Sequence, residues 1–339
     1  MRVMVTGGTG FAGSHTVKRF IAQGHSVRLL VRDADKARKI FDPLDIGIPS
    51  EDIIVGDIVD EAAVQRAMTG CDAVYHGAAL VSMRSSMAKR VFETNSRGVE
   101  NVIGGAHRRG LPSIVYVSSM SIFFTPGSPP LSLDMPIAEG TTAYARSKVA
   151  GERTIRRLQE EGAPIRVSYP TGIIGPEDPG LSEANGALHI FFRQTGILTS
   201  NGFQIVDVRD LAELHGRLLE LPDGAHRYVA AGPFLDWSST YQLLDEITGT
   251  RLWRFPFPGK LLRATGSVGD FVKRFWDFDF PLTRDAMEYA SLWPGTAPNR
   301  TSEELGIRFR PARETYIDTL RWMYRAGVLE ARHVGKLAD

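Results

Sequence analysis

Directly behind a short β-branched run, Arg2-Val3-Met4-Val5, the chain reads Thr6-Gly7-Gly8-Thr9-Gly10-Phe11-Ala12-Gly13 and then enters a segment with helical spacing from Gly10 to Gln23. Three glycines three apart between a strand and a helix confine the start of the chain to a β-turn-α unit. Gly7 can make the tight turn, Gly10 lets backbone approach a pyrophosphate, and Gly13 lets the helix pack close on the strand. The helix N-terminus is then aimed at the anion. A glycine-rich turn with no ligand would use the same residues, but the strand before it and the helix after it point to a dinucleotide.

The next 110 residues repeat that alternation. Ser26 to Val31, Ile53-Ile54-Val55, Ala73-Val74-Tyr75 and Ile114 to Val117 read as strands, separated by helical spacing at Asp60 to Met68 and at Ser85 to Arg108, long enough for two joined helices. Tyr144 to Glu161 reads as a further helix and Ile165 to Tyr169 as a sixth strand. A βαβα rhythm with continuous apolar strands predicts a doubly wound parallel sheet of Rossmann type, covered on both faces. After Pro170 the texture turns to Gly- and Pro-rich loops with shorter helical patches. The expected division is a dinucleotide lobe over 1–169, to which 203–230 returns, a smaller mixed substrate lobe from 170–202 and 231–330, and a tail at 331–339.

Charge is uneven along this nearly neutral chain. The whole carries +1, while its first 40 residues hold eight Lys or Arg against two Asp. At the end of the second strand, where a carboxylate would hold the 2′-hydroxyl of NAD, the sequence has Arg32, with Lys36, Arg38 and Lys39 close behind. An arginine there suits the 2′-phosphate of NADP. A solvated basic helix face is the other reading, and Asp33 keeps NAD open as the lesser option. Asp57, after the third strand, is placed to accept from an adenine amino group with Ile58 against the ring, or to cap the helix that begins near Asp60. Ala78 and Ala79 end the fourth strand, where bulk would obstruct a cofactor. His76 beside them reads as a satisfied core histidine.

Tyr144 and Lys148 stand four residues apart, hence one turn apart on one helix face. A nearby ammonium lowers a phenol's pKa, so the pair can exchange a proton with a substrate oxygen. Ser119, at the carboxyl end of the fifth strand, can donate to a carbonyl oxygen. Ser118 and Ser121 fit a helix-cap role there as well as it does.

Together, Thr6-Gly7-x-x-Gly10-x-x-Gly13, Gly56-Asp57, Ala78-Ala79, Asn95 with Gly98, Ser118-Ser119, Tyr144-x-x-x-Lys148 and Tyr169-Pro170-x-Gly172 resemble an extended short-chain dehydrogenase/reductase, over residues 1 to about 220. Val31 to Lys39 and Gly56 to His76 are similar to the dihydroflavonol 4-reductase and 3β-hydroxysteroid dehydrogenase branches. The resemblance implies catalytic roles for Ser119, Tyr144 and Lys148, and pyrophosphate contact from Gly7 through Thr9 and Gly10 to Phe11. It also implies 2′-phosphate contact at Arg32 and Lys39 and nicotinamide contact at Pro170. Met120-Ser121 stands where related sugar-nucleotide dehydratases carry Asp-Glu, and Tyr169 where epimerases often carry Asn. Both departures weigh against a sugar nucleotide.

The function expected is therefore an NADP(H)-dependent oxidoreductase that reduces a carbonyl, or oxidises the alcohol, of a mainly apolar small molecule. The alternative is a nucleotide-sugar epimerase with tightly bound NAD. From Trp253 to Phe280, 28 residues hold eight aromatics, a candidate lining for the substrate pocket, a core of the small lobe, a lid, or an interfacial helix. The single cysteine, Cys71, permits no internal disulfide and no multi-thiolate zinc site. No metal, nucleic acid partner or membrane span is expected; a cytoplasmic location and a homodimer are.

Overall fold

The computed structural model describes every residue except Asp45, Met83, Gln194, Thr195, Asp223, Lys273, Arg274, 276–282 and Asp339. The strands are β1 (Arg2–Thr6), β2 (Ser26–Val31), β3 (Ile53–Val55), β4 (Ala73–His76), β5 (Ser113–Val117), β6 (Ile165–Pro170), β7 (Gly172–Ile174), β8 (Gly196–Leu198), β9 (Gly202–Asp207), β10 (His226–Ala230), β11 (Phe234–Asp236) and β12 (Arg254–Pro256). Seven of them form one sheet in the order β10-β6-β5-β4-β1-β2-β3, with every pairing parallel. The order reverses between β1 and β4. In such a sheet ligands bind outside the carboxyl ends of the strands at that reversal.

Alternation along the strands sorts side chains onto two faces. Val3, Val5 and Val115 point to the face covered by α1 (Phe11–Ala22), α2 (Ala34–Phe41) and α8 (Val208–Glu220), packing on Val17, Phe20, Phe41 and Leu214. Met4, Val74 and Ile114 point to the other, covered by α3 (Glu61–Met68), α4 (Ala88–Val99), α5 (Gly105–Arg108) and α6 (Ala143–Glu160), against Val64, Val102, Val149 and Ile155. All of these side chains are buried, each contributing about 1.5–3 kcal/mol. The stretch read as two joined helices runs through a π-helical turn at Glu100–Gly104 between α4 and α5.

After β6 the chain builds α7 (Glu183–Arg193), α9 (Trp237–Thr248), α10 (Gly259–Val272), α11 (Arg284–Leu292), α12 (Thr301–Leu305), α13 (Ala312–Arg325) and α14 (Ala331–Val334). β11, β9 and β7 form a second sheet, and β12 pairs with β8. Leu188, Ile205, Trp237, Tyr241 and Leu320 fill the core of this lobe. Two details differ from the expected division. Leu305 and Ile307 pack on the main sheet's α1/α8 face, so the chain revisits the first lobe a second time. Residues set aside as a tail bury Val334 and Leu337 in the second core.

Candidate active site at the carboxyl end of the sheet

The glycine turn is sterically closed to a larger residue at Gly7 and Gly13. Gly7 sits at φ +76°, and a Cβ there would fall 2.6 Å from the Ala78 nitrogen; one on Gly13 would fall 2.0 Å from the Gly7 carbonyl oxygen. Gly10 caps α1 without a side-chain acceptor, and no acidic residue occupies the first turn. The backbone N–H groups there are free to meet an anion. Thr9 is half-buried and Phe11 is buried, stacked edge-on to His15 at 5.7 Å. Ala78 lies across the turn with a small side chain, and Ala79 follows it, so the cradle fits a dinucleotide.

Arg32 and Lys39 are exposed and have no ion-pair partner among the described residues. Asp33 is engaged: its carboxylate accepts from the Lys36 N–H at 3.1 Å and caps α2. The cap at α3 falls to Asp60, which accepts from Ala63, leaving Asp57 half-buried with, among the described residues, only the Val59 N–H on its carboxylate at 3.2 Å. Ile58 beside it packs against Gly98, and Asn101 donates to the Ile58 carbonyl at 2.9 Å. Pro170 ends β6 buried. His76 is buried, bonded to the Thr6 hydroxyl at 2.6 Å and stacked on Tyr116; burial pushes its pKa down to about 3, so it stays neutral.

Thr142 caps α6, and two residues later Tyr144 sits half-buried in the first turn. Lys148, buried, donates to the Val117 carbonyl at the end of β5 at 3.0 Å, its nitrogen 5.9 Å from the Tyr144 ring centroid. Electrostatics here differ from the expectation. Burial pushes the Tyr144 phenol upward, with Glu183 and Tyr289 adding to the shift, while burial lowers Lys148 to about 8. Desolvation sets the direction of both shifts, so this state holds Tyr144 as a protonated donor. Of the two serines after β5, Ser118 turns inward to Glu152 at 3.1 Å. Ser119 is half-buried; its hydroxyl meets that of Ser121 at 2.8 Å and accepts the Ser121 N–H, capping a short turn.

Glu152 and Tyr289 went unrecognised in the sequence, and Asn95 was quoted only as part of a motif. Glu152 is fully buried, one turn past Lys148, and takes hydrogen bonds from Ser118, Tyr169 and Arg156. Asn95 pins the chain after β4 to α6: it bonds both backbone groups of Leu80 and donates to Ser147 at 2.9 Å. Tyr289 of α11 bonds Ser121 and packs on Phe124 at 4.7 Å. Beside them a cavity of about 310 Å³ is floored by Ile122, Phe124, Val149 and Tyr289. Glu139, Asp285 and Glu288 also line it.

Among the described residues, the aromatic-rich stretch does not supply that floor. Trp253, Phe255, Phe271 and Phe275 are exposed, and Phe257 is half-buried. Trp276, Phe278 and Phe280 lie outside the described residues. The wall aromatics of the cavity come instead from the 120s turn and α11.

Comparison with known proteins agrees with this geometry. The model of the NAD dependent epimerase/dehydratase family matches residues 3–231. The chain belongs to that family. It is an extended short-chain dehydrogenase/reductase, and the family's fold is the seven-stranded sheet described above. Relatives similar along the whole chain include sterol demethylase protein B of Methylococcus capsulatus, 24% identical over 97% of this chain and 100% of that protein. A dihydroflavonol 4-reductase-like protein of Synechocystis sp. is 29% identical over 97% and 96%. The 4-hydroxy-2-methyl-3-oxo-4-farnesyl-3,4-dihydroquinoline-1-oxide ketoreductase of Stigmatella aurantiaca is 26% identical over 96% and 98%. A UDP-glucose 4-epimerase of Neisseria meningitidis is 34% identical, over 47% of this chain and 48% of its own. The crystal structure of UDP-glucose 4-epimerase from Bifidobacterium longum with NAD+ and UDP shares the fold at TM-score 0.74, with 17% identity over 97% of this chain and 99% of that one. Among the described residues no helix is long and apolar enough to cross a membrane.

Proposed function

We propose that this family member is an NADP(H)-dependent carbonyl reductase, or the reverse alcohol dehydrogenase, for a mainly apolar small molecule. A bound nicotinamide dinucleotide supplies the hydride, or accepts it in reverse. Tyr144 gives its phenolic proton to the carbonyl oxygen as that oxygen becomes a hydroxyl. Ser119 donates a hydrogen bond to the same oxygen, and Lys148 holds the Tyr144 end of α6 to β5 through the Val117 carbonyl. The glycine turn with Ala78 and Ala79 takes the pyrophosphate side, Asp57 and Ile58 the adenine, Pro170 the nicotinamide, and Arg32 with Lys39 the 2′-phosphate.

The observation that carries the substrate class is the cavity beside Ser121. Its floor is apolar and aromatic, and its charged groups are carboxylates, with Arg284 tied to Glu288 at 2.8 Å. Burial raises the Asp285 carboxyl, and the Thr141 hydroxyl bonds it. The diphosphate of a nucleotide sugar brings two negative charges and finds, among the described residues, no free cation lining this cavity; a neutral ring finds a matching surface. Reductase-like and ketoreductase relatives that match end to end support the same reading.

The test is turnover by the purified protein of NADPH with a panel of cyclic and aromatic ketones, beside UDP-glucose without added cofactor. Ketone-dependent oxidation of NADPH supports the reading. Copurified NAD together with interconversion of the sugar nucleotide, and no net NADPH consumption, identifies an epimerase instead.

A further inference from the structure

Helix α10 presents an apolar stripe to solvent. Leu261 is 55% exposed, Val268 62%, Phe271 58% and, just beyond the helix, Phe275 69%. Their spacing of seven, three and four residues places them on one side of the helix. The opposite side is occupied: Leu262, Gly266 and Gly269 are buried, and a Cβ on Gly266 would fall 2.6 Å from the Thr283 carbonyl oxygen of the segment entering α11. Exposed aliphatic and aromatic side chains repeating at helical period are a contiguous surface rather than scattered residues, and such surfaces mark interaction sites.

Charge borders the stripe. Lys260, exposed, adjoins Leu261, and together with Arg263, Ser267 and Arg284 it lines a shallow groove along α10. One of those cations ties α10 to α11, Arg263 donating to Ser291 at 2.9 Å, while Arg284 pairs with Glu288 of its own helix at 2.8 Å. Along the sequence from Arg251 to Arg284 there are seven Lys or Arg against three Asp, a formal +4 in a chain whose total is +1. Trp253, 76% exposed, opens the same segment. An apolar stripe with phenylalanine and leucine, a tryptophan nearby and a basic flank is the composition of a helix that lies in the plane of an anionic bilayer. A second copy of the chain is the poorer occupant, since an isologous contact would bring the same +4 segment against itself.

We infer that α10 is a membrane-surface docking element, seating Leu261, Val268, Phe271 and Phe275 among the acyl chains of an anionic lipid surface while Lys260 and Arg263 meet the phosphate headgroups. The element lies on the bilayer and does not cross it. This inference is independent of the reaction proposed above: it concerns where the enzyme sits, and vesicle binding can be present or absent whatever the enzyme turns over.

Flotation of the full chain with vesicles tests it, using phosphatidylcholine alone and phosphatidylcholine mixed with phosphatidylglycerol, at low and high salt. Binding is expected to the mixed vesicles at low salt and to fall at least tenfold in Val268→Glu/Phe271→Glu. Lys260→Glu is expected to weaken it several-fold, and high salt likewise. Thermal midpoints equal to the parent's will show that these exposed substitutions leave the protein folded. Lack of flotation with either vesicle overturns the inference, as does equal binding to both vesicle types irrespective of salt. Sedimentation showing a dimer that Val268→Glu/Phe271→Glu dissociates assigns the face to a second copy and also overturns it.

Discussion

The Lys148 ammonium nitrogen donates to the backbone carbonyl of Val117 at 3.0 Å, joining α6 to the carboxyl end of β5. A carbonyl is a partial charge only, and Lys148 is buried, so its pKa falls to about 8. A lysine whose folded pKa lies below its unfolded value burdens the folded state wherever it is charged. The penalty is full below about 8 and is relieved as pH rises toward the ordinary lysine range. Lys148→Met removes the burden. In urea unfolding without cofactor, the variant is expected to be more stable at pH 7 by about 1–3 kcal/mol, the advantage vanishing near about pH 10. Its turnover is expected to fall by about a hundredfold or more. A variant less stable than the parent at pH 7 refutes the assignment.

Arg32 and Asp33 are neighbours with opposite commitments. Asp33 spends its carboxylate on the cap of α2, while the Arg32 guanidinium is exposed with no ion-pair partner among the described residues. Replacing Arg32 by Asp exchanges a phosphate ligand for a group that repels phosphate. The ratio of kcat/KM for NADPH over NADH is expected to drop by about ten- to a hundredfold, since hydrogen bonds to charged groups contribute about 1.5–3 kcal/mol. An unaltered ratio removes Arg32 from the cofactor site.

What could be read in advance follows from how local each signal is. The glycine turn, the strands with their β-branched runs and the one-turn spacing of Tyr144 and Lys148 depend on neighbours in sequence. The parallel sheet follows from the first two. Glu152 was hidden because it looks like any acid on a charged helix, and only its three donors, brought from β5, β6 and α6 itself, make it a buried centre. Tyr289 stands far along the chain from the turn it completes, and nothing nearby marks it. The aromatic density at 253–280 was visible, but density alone cannot say which way the rings face; Trp253, Phe271 and Phe275 face solvent. The rise in the Tyr144 pKa was missed for a related reason. Sequence shows the cation four residues away, and not the burial that raises the phenol.

Glu152 accepts from the Tyr169 hydroxyl at 2.7 Å, from Ser118 at 3.1 Å and from Arg156 at 3.1 Å. Replacing it by Leu leaves the buried Ser118 and Tyr169 hydroxyls without their acceptor. The expected loss is about 2–4 kcal/mol in urea unfolding. Glu152→Gln keeps an acceptor oxygen and is expected to recover roughly half. If Leu is tolerated within experimental error, the cluster contributes nothing net.

Asp285 and Glu288 face the cavity beside Ser121, Asp285 with its carboxyl raised by burial and held by Thr141, Glu288 with Arg284. If this cavity receives the substrate, its carboxylates reject an acid more than they favour a neutral ring. Charges separated by about 6–8 Å at the intermediate dielectric of a partly open site interact by roughly 1–2 kcal/mol, or about five- to thirtyfold. Asp285→Asn with Glu288→Gln is therefore expected to lower KM for a carboxylate-bearing ketone by about five- to tenfold. KM for its uncharged analogue stays within about twofold, because neutral substrates feel little of the field. kcat is expected to change little for either, since neither residue supplies the proton. Steady-state kinetics on the matched pair of ketones decides the matter. An equal shift for both substrates points to altered cavity shape rather than charge, and no shift for either moves the substrate out of this cavity.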